Sequence, residues 1–269
     1  MSTVREFPHR PADVYDKSFF EFLKSTGRDS AAQLVPILVD TIAPASVVDV
    51  GCGTGTWLAA FKRQGVEDIF GLDGEWVETE ALEIPPTQFR AADLTKPFTC
   101  SRTFDLAVSL EVAEHLPEQS AEGFVHSLVN LAPVVVFSAA IPFQGGDAHL
   151  NEQWPDYWAK RFRAHGYVAI DYVRPRIWGN PAISWWYAQN TLVFCTEDYV
   201  KQHDWASQAQ AETQRSQMLA VVHPDRYEHA VHQAVDPSVM GVSALLAALP
   251  AAFAKTLQRK LQVFRTRNT

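Results

Sequence analysis

The sequence predicts an α/β fold, a doubly wound seven-stranded sheet with an α-helical C-terminal extension. Three observations predict it. Short β-branched runs alternate with helical patterns from about Val47 to Cys195. Several runs are continuously apolar, as strands covered on both faces are. The first run ends in a glycine cluster from which a helix starts at once.

Each element follows from its local composition. Ala31–Thr41 (AAQLVPILVDT) is helical, weakened by Pro36. Ser46–Val50 (SVVDV) is the first strand. Thr56–Gln64 (TWLAAFKRQ) is a helix with Gly65 as its C-cap. Asp68–Asp73 (DIFGLD) is a second strand, Gln88–Ala92 a weaker third and Phe104–Leu110 (FDLAVSL) a fourth. Ser120–Leu131 reads as a helix and Pro133–Ala140 (PVVVFSAA) as a fifth strand. Trp154–His165 is a helix, and Tyr167–Val173 and Thr191–Cys195 (TLVFC) are the last strands. The link between those two is rich in aromatics (Trp178, Trp185, Trp186, Tyr187) and has no clear helical pattern. Without a crossover helix, the last strand is expected to run antiparallel. From Asp198 the chain becomes rich in Ala, Gln, Glu and His, with helical segments around Ala209–Val222 and Ser243–Phe264. The expected division is therefore a main domain over residues 1–196 and a helical extension over 197–269.

Composition narrows the function classes. A chain of 269 residues, 47% hydrophobic and 20% charged, has the make-up of a soluble globular protein. The net charge of −8 repels a phosphate backbone, so nucleic acid is not an expected partner. Cys52, Cys100 and Cys195 are odd in number and lack metal-ligand spacing, which suits a reducing, cytoplasmic setting. Met1–Arg10 lacks the apolar run of a signal peptide. No stretch reaches the roughly 18–20 apolar residues of a membrane span.

The segment Val47–Gly55 carries the strongest signal. Glycines at 51, 53 and 55 permit a tight turn and close approach of a ligand to the backbone. The helix that follows offers unpaired N–H groups. Asp73 falls twenty-two residues after Gly51, at the end of the next strand, where a carboxylate can accept bonds from ribose hydroxyls. The dinucleotide pattern needs a small residue at 56, where this chain has Thr, and its third glycine comes one place early.

The loop, with Asp49 before it, closely resembles motif I of the class I S-adenosylmethionine-dependent methyltransferases. The resemblance covers roughly residues 35–196 and is specific to the superfamily, not to a substrate. It implies a Rossmann-like sheet, S-adenosylmethionine as cofactor, and a seventh strand inserted antiparallel. It also implies cofactor contacts from Asp49, Gly51, Cys52, Gly53, Thr54, Gly55, Trp57 and Asp73. Asp93 and Leu94 look like the element that meets the adenine, although Asp93 taken alone reads better as a solvated turn acid. Leu110, Glu111 and His115, in a stretch ending Glu114-His115-Leu116, would face the sulfonium and methyl group. Family members often cover the cofactor with the N-terminal region, here residues 1–34 with Tyr15.

Methyl transfer needs positioning above all, and a base when the acceptor is a hydroxyl. His115, after the fourth strand, and His149, after the fifth, are the candidate bases, since loops at the C-terminal ends of parallel strands carry sites. Asp147 and His149 with Glu111 or Glu114 offer donors for Mg²⁺, but such groupings are common and no metal is expected. Trp154, Trp185 and Trp186 are candidate walls of an acceptor pocket, because indole faces stack on sugars and planar rings. The basic, amphipathic run Lys255–Arg267 suits either a helix dipole or an anionic membrane surface. The expected function is transfer of a methyl group to a small molecule or sugar, at a hydroxyl oxygen. N- or carboxyl-methylation, a nucleotide-binding oxidoreductase and a non-catalytic scaffold remain the alternatives.

Overall fold

A computed structural model describes residues 17–235 and parts of 242–254. Its centre is a seven-stranded sheet in the order β3-β2-β1-β4-β5-β7-β6. The strands are β1 (Ser46–Val50), β2 (Asp68–Asp73), β3 (Phe89–Ala91), β4 (Leu106–Leu110), β5 (Val134–Ser138), β6 (Tyr167–Ile170) and β7 (Leu192–Thr196). β1 pairs in parallel with both β2 and β4, so the winding reverses between β1 and β4. Open α/β sheets bind ligands in the crevice at that reversal. β7 lies antiparallel between β5 and β6, the expected direction, although the link before it is partly helical.

Alternate strand residues feed two separate cores. Val47, Val108, Val136 and Val193 pack with α1 (Lys17–Ile42) and α2 (Thr56–Arg63) through Leu34, Leu38, Leu58 and Phe61. Val48, Ala107, Val135 and Phe194 pack with α3 (Ala121–Val129) and α4 (Pro155–Ala164) through Phe124, Leu128, Trp158 and Phe162. Both faces are therefore covered, which explains the continuously apolar strands.

Among its helices the structure departs most from the sequence reading in three places. α1 starts fourteen residues before the expected Ala31 and runs through Pro36, because its buried face outweighs one lost backbone bond. The aromatic link holds two short helices, α5 (Arg174–Ile177) and α6 (Trp185–Asn190). Each is too short for periodicity to register. The expected helix over Ala209–Val222 ends sooner. α7 (Glu197–Gln202) and α8 (Asp204–Ser216) follow β7, and Gln217 takes a left-handed conformation that stops α8.

By its contacts the chain divides into one unit up to His223 and another from Pro224, later than the expected boundary at 196. Ala206 and Ala209 of α8 belong to the core of the sheet. The second unit contains α9 (Pro224–Val235) and helical residues within 242–254. The rest of the expected Ser243–Phe264 helix, and the basic run, lie outside the described residues. Among the described residues, no helix is long and apolar enough to cross a membrane.

Candidate functional site

The glycine loop closes β1 against β2. The amides of Gly51 and Cys52 both donate to the Leu72 carbonyl, at 2.7 and 3.2 Å. Gly51, Gly53 and Gly55 have φ of +81°, +53° and +84°, a region that disfavours a side chain. A Cβ at Gly51 would also collide with Val112, whereas one at Gly53 would meet nothing within 4 Å. The loop is therefore packed at its base and open at Gly53. No side chain caps the N-terminus of α2, so its first amides remain available.

Two carboxyl groups lie beneath the loop. Asp73 accepts from the Gly53 and Gly74 amides, each at 2.6 Å, and so pins the loop to the end of β2. Burial raises its pKa against the lowering effect of those two bonds. Asp49 is buried and its Oδ2 has no hydrogen-bond partner. Burial first, and the charge of Asp73 second, push it up to about 8. An orphaned carboxyl under an open glycine turn, beside a carboxylate held by amides, fits an incoming polar, cationic ligand such as S-adenosylmethionine. Asp49, the amides of 51–55 and Asp73 would hold it. Cys52 is buried here, and burial with the two carboxylates raises its thiol pKa. Thr54 is buried as well, and its carbonyl accepts from Glu83 at 2.7 Å. Trp57 packs edge-on to Tyr187 with ring centroids 5.1 Å apart, inside the core.

Asp93 and Leu94, the expected adenine contacts, differ in burial. Asp93 is exposed and its oxygens close their own turn, on Thr95 at 3.0 Å (amide) and 2.5 Å (hydroxyl) and on Lys96 at 2.8 Å. These partners hold its pKa down at about 2. Leu94 is buried in the core on the α3 side.

The second half of the site surrounds the end of β4. Glu111 has φ +55°, and its amide is received by the Ser138 carbonyl and hydroxyl at 3.1 and 3.0 Å. Its carboxylate accepts from Gln144 at 3.1 Å and from Asn190 at 3.1 Å. Gln189 donates to Gln144 at 3.1 Å and to Asn190 at 2.9 Å, completing a network drawn from β4, the loop after β5, and α6. The sequence reading missed Gln144, Gln189 and Asn190. The available signal was a polar pair, Gln189-Asn190, directly before an apolar strand. Leu110 is buried at the end of β4.

Below this network, Ala113–His115 forms a 3₁₀ turn. Glu114 is fully buried; no hydrogen bond of ordinary geometry reaches either oxygen, and its polar neighbours are the Glu111 carboxyl and the Ala140 amide. Burial, and then Glu111, raise its pKa well above the ordinary range. The Glu114 carbonyl accepts from the Leu150 and Asn151 amides at 2.7 and 2.9 Å, which ties the loop carrying His149 to this turn. The His115 and His149 rings meet edge to face at 4.9 Å between centroids. Burial, then His149, lower the His115 pKa to about 4. His149 Nδ1 lies 2.9 Å from Glu152 Oε1, and Glu152 in turn receives the Phe143 and Gly145 amides at 2.7 and 2.8 Å.

The expected substrate wall is spread out. Trp185 and Trp186 open α6, half-buried and edge-on at 5.5 Å, and Trp186 packs on the core. Trp154 is 42% exposed ahead of α4. Asp147 is exposed and outside the Glu114–His115–His149 grouping. Tyr15 lies outside the described residues.

Comparison with known proteins bears on the family and the fold. A family model described as "Methyltransferase domain" matches residues 23–234. The dTDP-3-amino-3,4,6-trideoxy-alpha-D-glucopyranose N,N-dimethyltransferase of Streptomyces venezuelae is 31% identical over 169 residues, 61% of this chain. The chain spans 64% of that relative's own length. The crystal structure of Streptomyces venezuelae DesVI superposes with a TM-score of 0.50 at 17% identity. It covers 71% of this chain and 100% of its own, a likeness of fold.

Proposed function

The chain belongs to the S-adenosylmethionine-dependent methyltransferase family, and from that membership we propose that it methylates a hydroxyl oxygen of a small polyhydroxylated molecule such as a sugar. When bound, S-adenosylmethionine supplies an electrophilic methyl group. The protein's own residues hold that donor through Asp49, residues 51–55 and Asp73, and prepare the acceptor at the end of β4.

One observation carries the choice of oxygen. His149 is aligned by Glu152 and faces His115, whose imidazole is held neutral by burial. An alcohol must lose a proton to become nucleophilic, whereas a neutral amine need not, so paired imidazoles suit a hydroxyl. His149 and His115 are the groups placed to promote loss of that proton. Trp185 and Trp186 serve as the acceptor wall. Transfer to the nitrogen of an amino sugar is the second reading, favoured by the name of the Streptomyces relative. The net charge of −8 supports a small acceptor over a nucleic acid. Three free cysteines suit a reducing cytoplasm.

The test is a panel of sugars, phenols and amino sugars incubated with S-adenosylmethionine, with mass spectrometry of the products. Methyl ethers support the proposal. N-methyl products alone overturn the choice of oxygen, and turnover of neither class overturns the small-molecule reading.

A further inference from the structure

We propose that Glu114, His115 and His149 hold a divalent first-row transition-metal ion that carries the acceptor hydroxyl. The second half of this statement rests on the hydroxyl reading above; the binding of the ion does not.

The geometry begins with spacing. One ligand atom from each of the three residues lies within 4.8 Å of the others. Ligands at about 2.0–2.2 Å from one ion stand at most about 4.4 Å apart, so a small inward movement closes the shell. An independent observation comes from Glu114. Its side chain is wholly buried, no hydrogen bond of ordinary geometry reaches either oxygen although the Glu111 carboxyl and the Ala140 amide lie beside it, and it belongs to this cluster. Leaving an acidic group so enclosed is costly, and a cation supplies the missing partner.

Features around the cluster pre-set it. Glu152 holds His149 by Nδ1 at 2.9 Å, leaving Nε2 to ligate. A carboxylate behind an imidazole is the usual support of a metal-bound histidine. Glu152 is itself fixed by two backbone amides, and His115 bonds to the backbone at Ala148. Gly146 makes room, since a Cβ there would collide with the His149 ring. The amides of Leu150 and Asn151 on the Glu114 carbonyl hold the two ligand-bearing segments together.

Two imidazoles with one carboxylate suit Mn²⁺, Co²⁺ or Zn²⁺ better than Mg²⁺ or Ca²⁺, which take oxygen ligands. Three protein ligands leave a position open for an acceptor oxygen. An alcohol bound there is acidified: its O–H bond breaks, the proton passes to water, and the electron pair stays on the oxygen attached to the ion. In this arrangement the histidines act as ligands, and acidification by the ion takes the place of a direct imidazole base.

The test begins with full-length protein stripped by a chelator, dialysed and titrated with Co²⁺ and Mn²⁺ by visible absorbance and calorimetry. One ion per chain is expected. Glu114→Gln and His115→Ala should each weaken binding at least tenfold, and Glu152→Gln about 10–100-fold. Binding of S-adenosylhomocysteine, measured alongside, reports that each variant is folded. Failure of stripped wild type to bind an ion while it still binds S-adenosylhomocysteine overturns the site, as does equal affinity in all variants. Equal turnover of a hydroxyl acceptor by stripped and reloaded protein overturns the acceptor role alone. Absence of any hydroxyl turnover, with stoichiometric ion binding intact, is instead the failure of the proposed reaction.

Discussion

The two halves of the site are built by different means. The β1–β2 half is made of backbone: left-handed glycines, amides on the Leu72 carbonyl, and a carboxylate fixed by two amides. The β4–β5 half is made of side chains gathered from residues 111 to 190, with Glu111, Gln144, Gln189 and Asn190 in one network and Glu114, His115, His149 and Glu152 below it. A backbone cradle suits one invariable ligand, the role proposed for the β1–β2 half. A side-chain assembly can be changed position by position without disturbing the sheet, as acceptor selection requires.

The sharpest way to break this comparison is to damage one half and measure the other. His149→Ala should lower turnover by about 10²–10⁴-fold while cofactor affinity holds. Calorimetry with S-adenosylhomocysteine beside steady-state kinetics checks this, and parallel loss of both would mean that the halves are not separable. Gly51→Ala should do the converse at a somewhat smaller energy. A left-handed non-glycine residue costs about 1–2 kcal/mol, and the collision with Val112 costs roughly another 1–3. The melting point should fall by several degrees, and cofactor binding should fall with it. Gly53→Ala, with no collision, should cost only the conformational part.

The same contrast explains what the sequence disclosed. β1 and β2 have the bounds that their composition predicts, Ser46–Val50 and Asp68–Asp73, because β1 is a β-branched run ended by the left-handed Gly51 and β2 is a short apolar run closed by aspartates. The glycine loop and Asp73 were legible for the same reason: backbone conformation is written locally. The Asn190–Glu111 bond joins residues seventy-nine apart and leaves no periodic trace. α6 was hidden by its brevity and by aromatic side chains, which serve strand and helix equally. Asp93 shows a position with two local explanations, since the motif assigns it to a ligand and the turn to Thr95 and Lys96 already engages its oxygens.

Asp73→Ala sharpens the comparison within the cofactor half. It leaves the Gly53 and Gly74 amides without their acceptor and should weaken cofactor binding by about 1–3 kcal/mol. Titration with S-adenosylhomocysteine reads this directly, and unchanged affinity would remove Asp73 from the site.

Per unit of pH the smallest effect is a pH dependence, and it tests whether Asp49 is as poorly matched to the ligand-free fold as its orphaned oxygen suggests. In the folded chain Asp49 keeps its proton up to about pH 8, whereas an ordinary aspartate releases it near 3.8. Between those values the folded state holds a proton that the unfolded state has lost. Stability of the ligand-free protein therefore falls as pH rises through this window, at no more than about 1.4 kcal/mol per pH unit from this group, and levels off above it. Asp49→Asn removes the proton exchange while keeping the shape of the neutral carboxyl. The difference in unfolding free energy between variant and wild type should therefore grow in the variant's favour as pH approaches 8. Denaturant melts at several pH values measure it, and a difference that stays constant would mean that Asp49 ionises normally within the fold. Because Asn cannot supply the negative charge expected to meet a cationic ligand, the stabilised variant should also bind S-adenosylmethionine more weakly. Gain of stability together with loss of affinity at one buried position would assign Asp49 to ligand binding at the expense of the ligand-free fold.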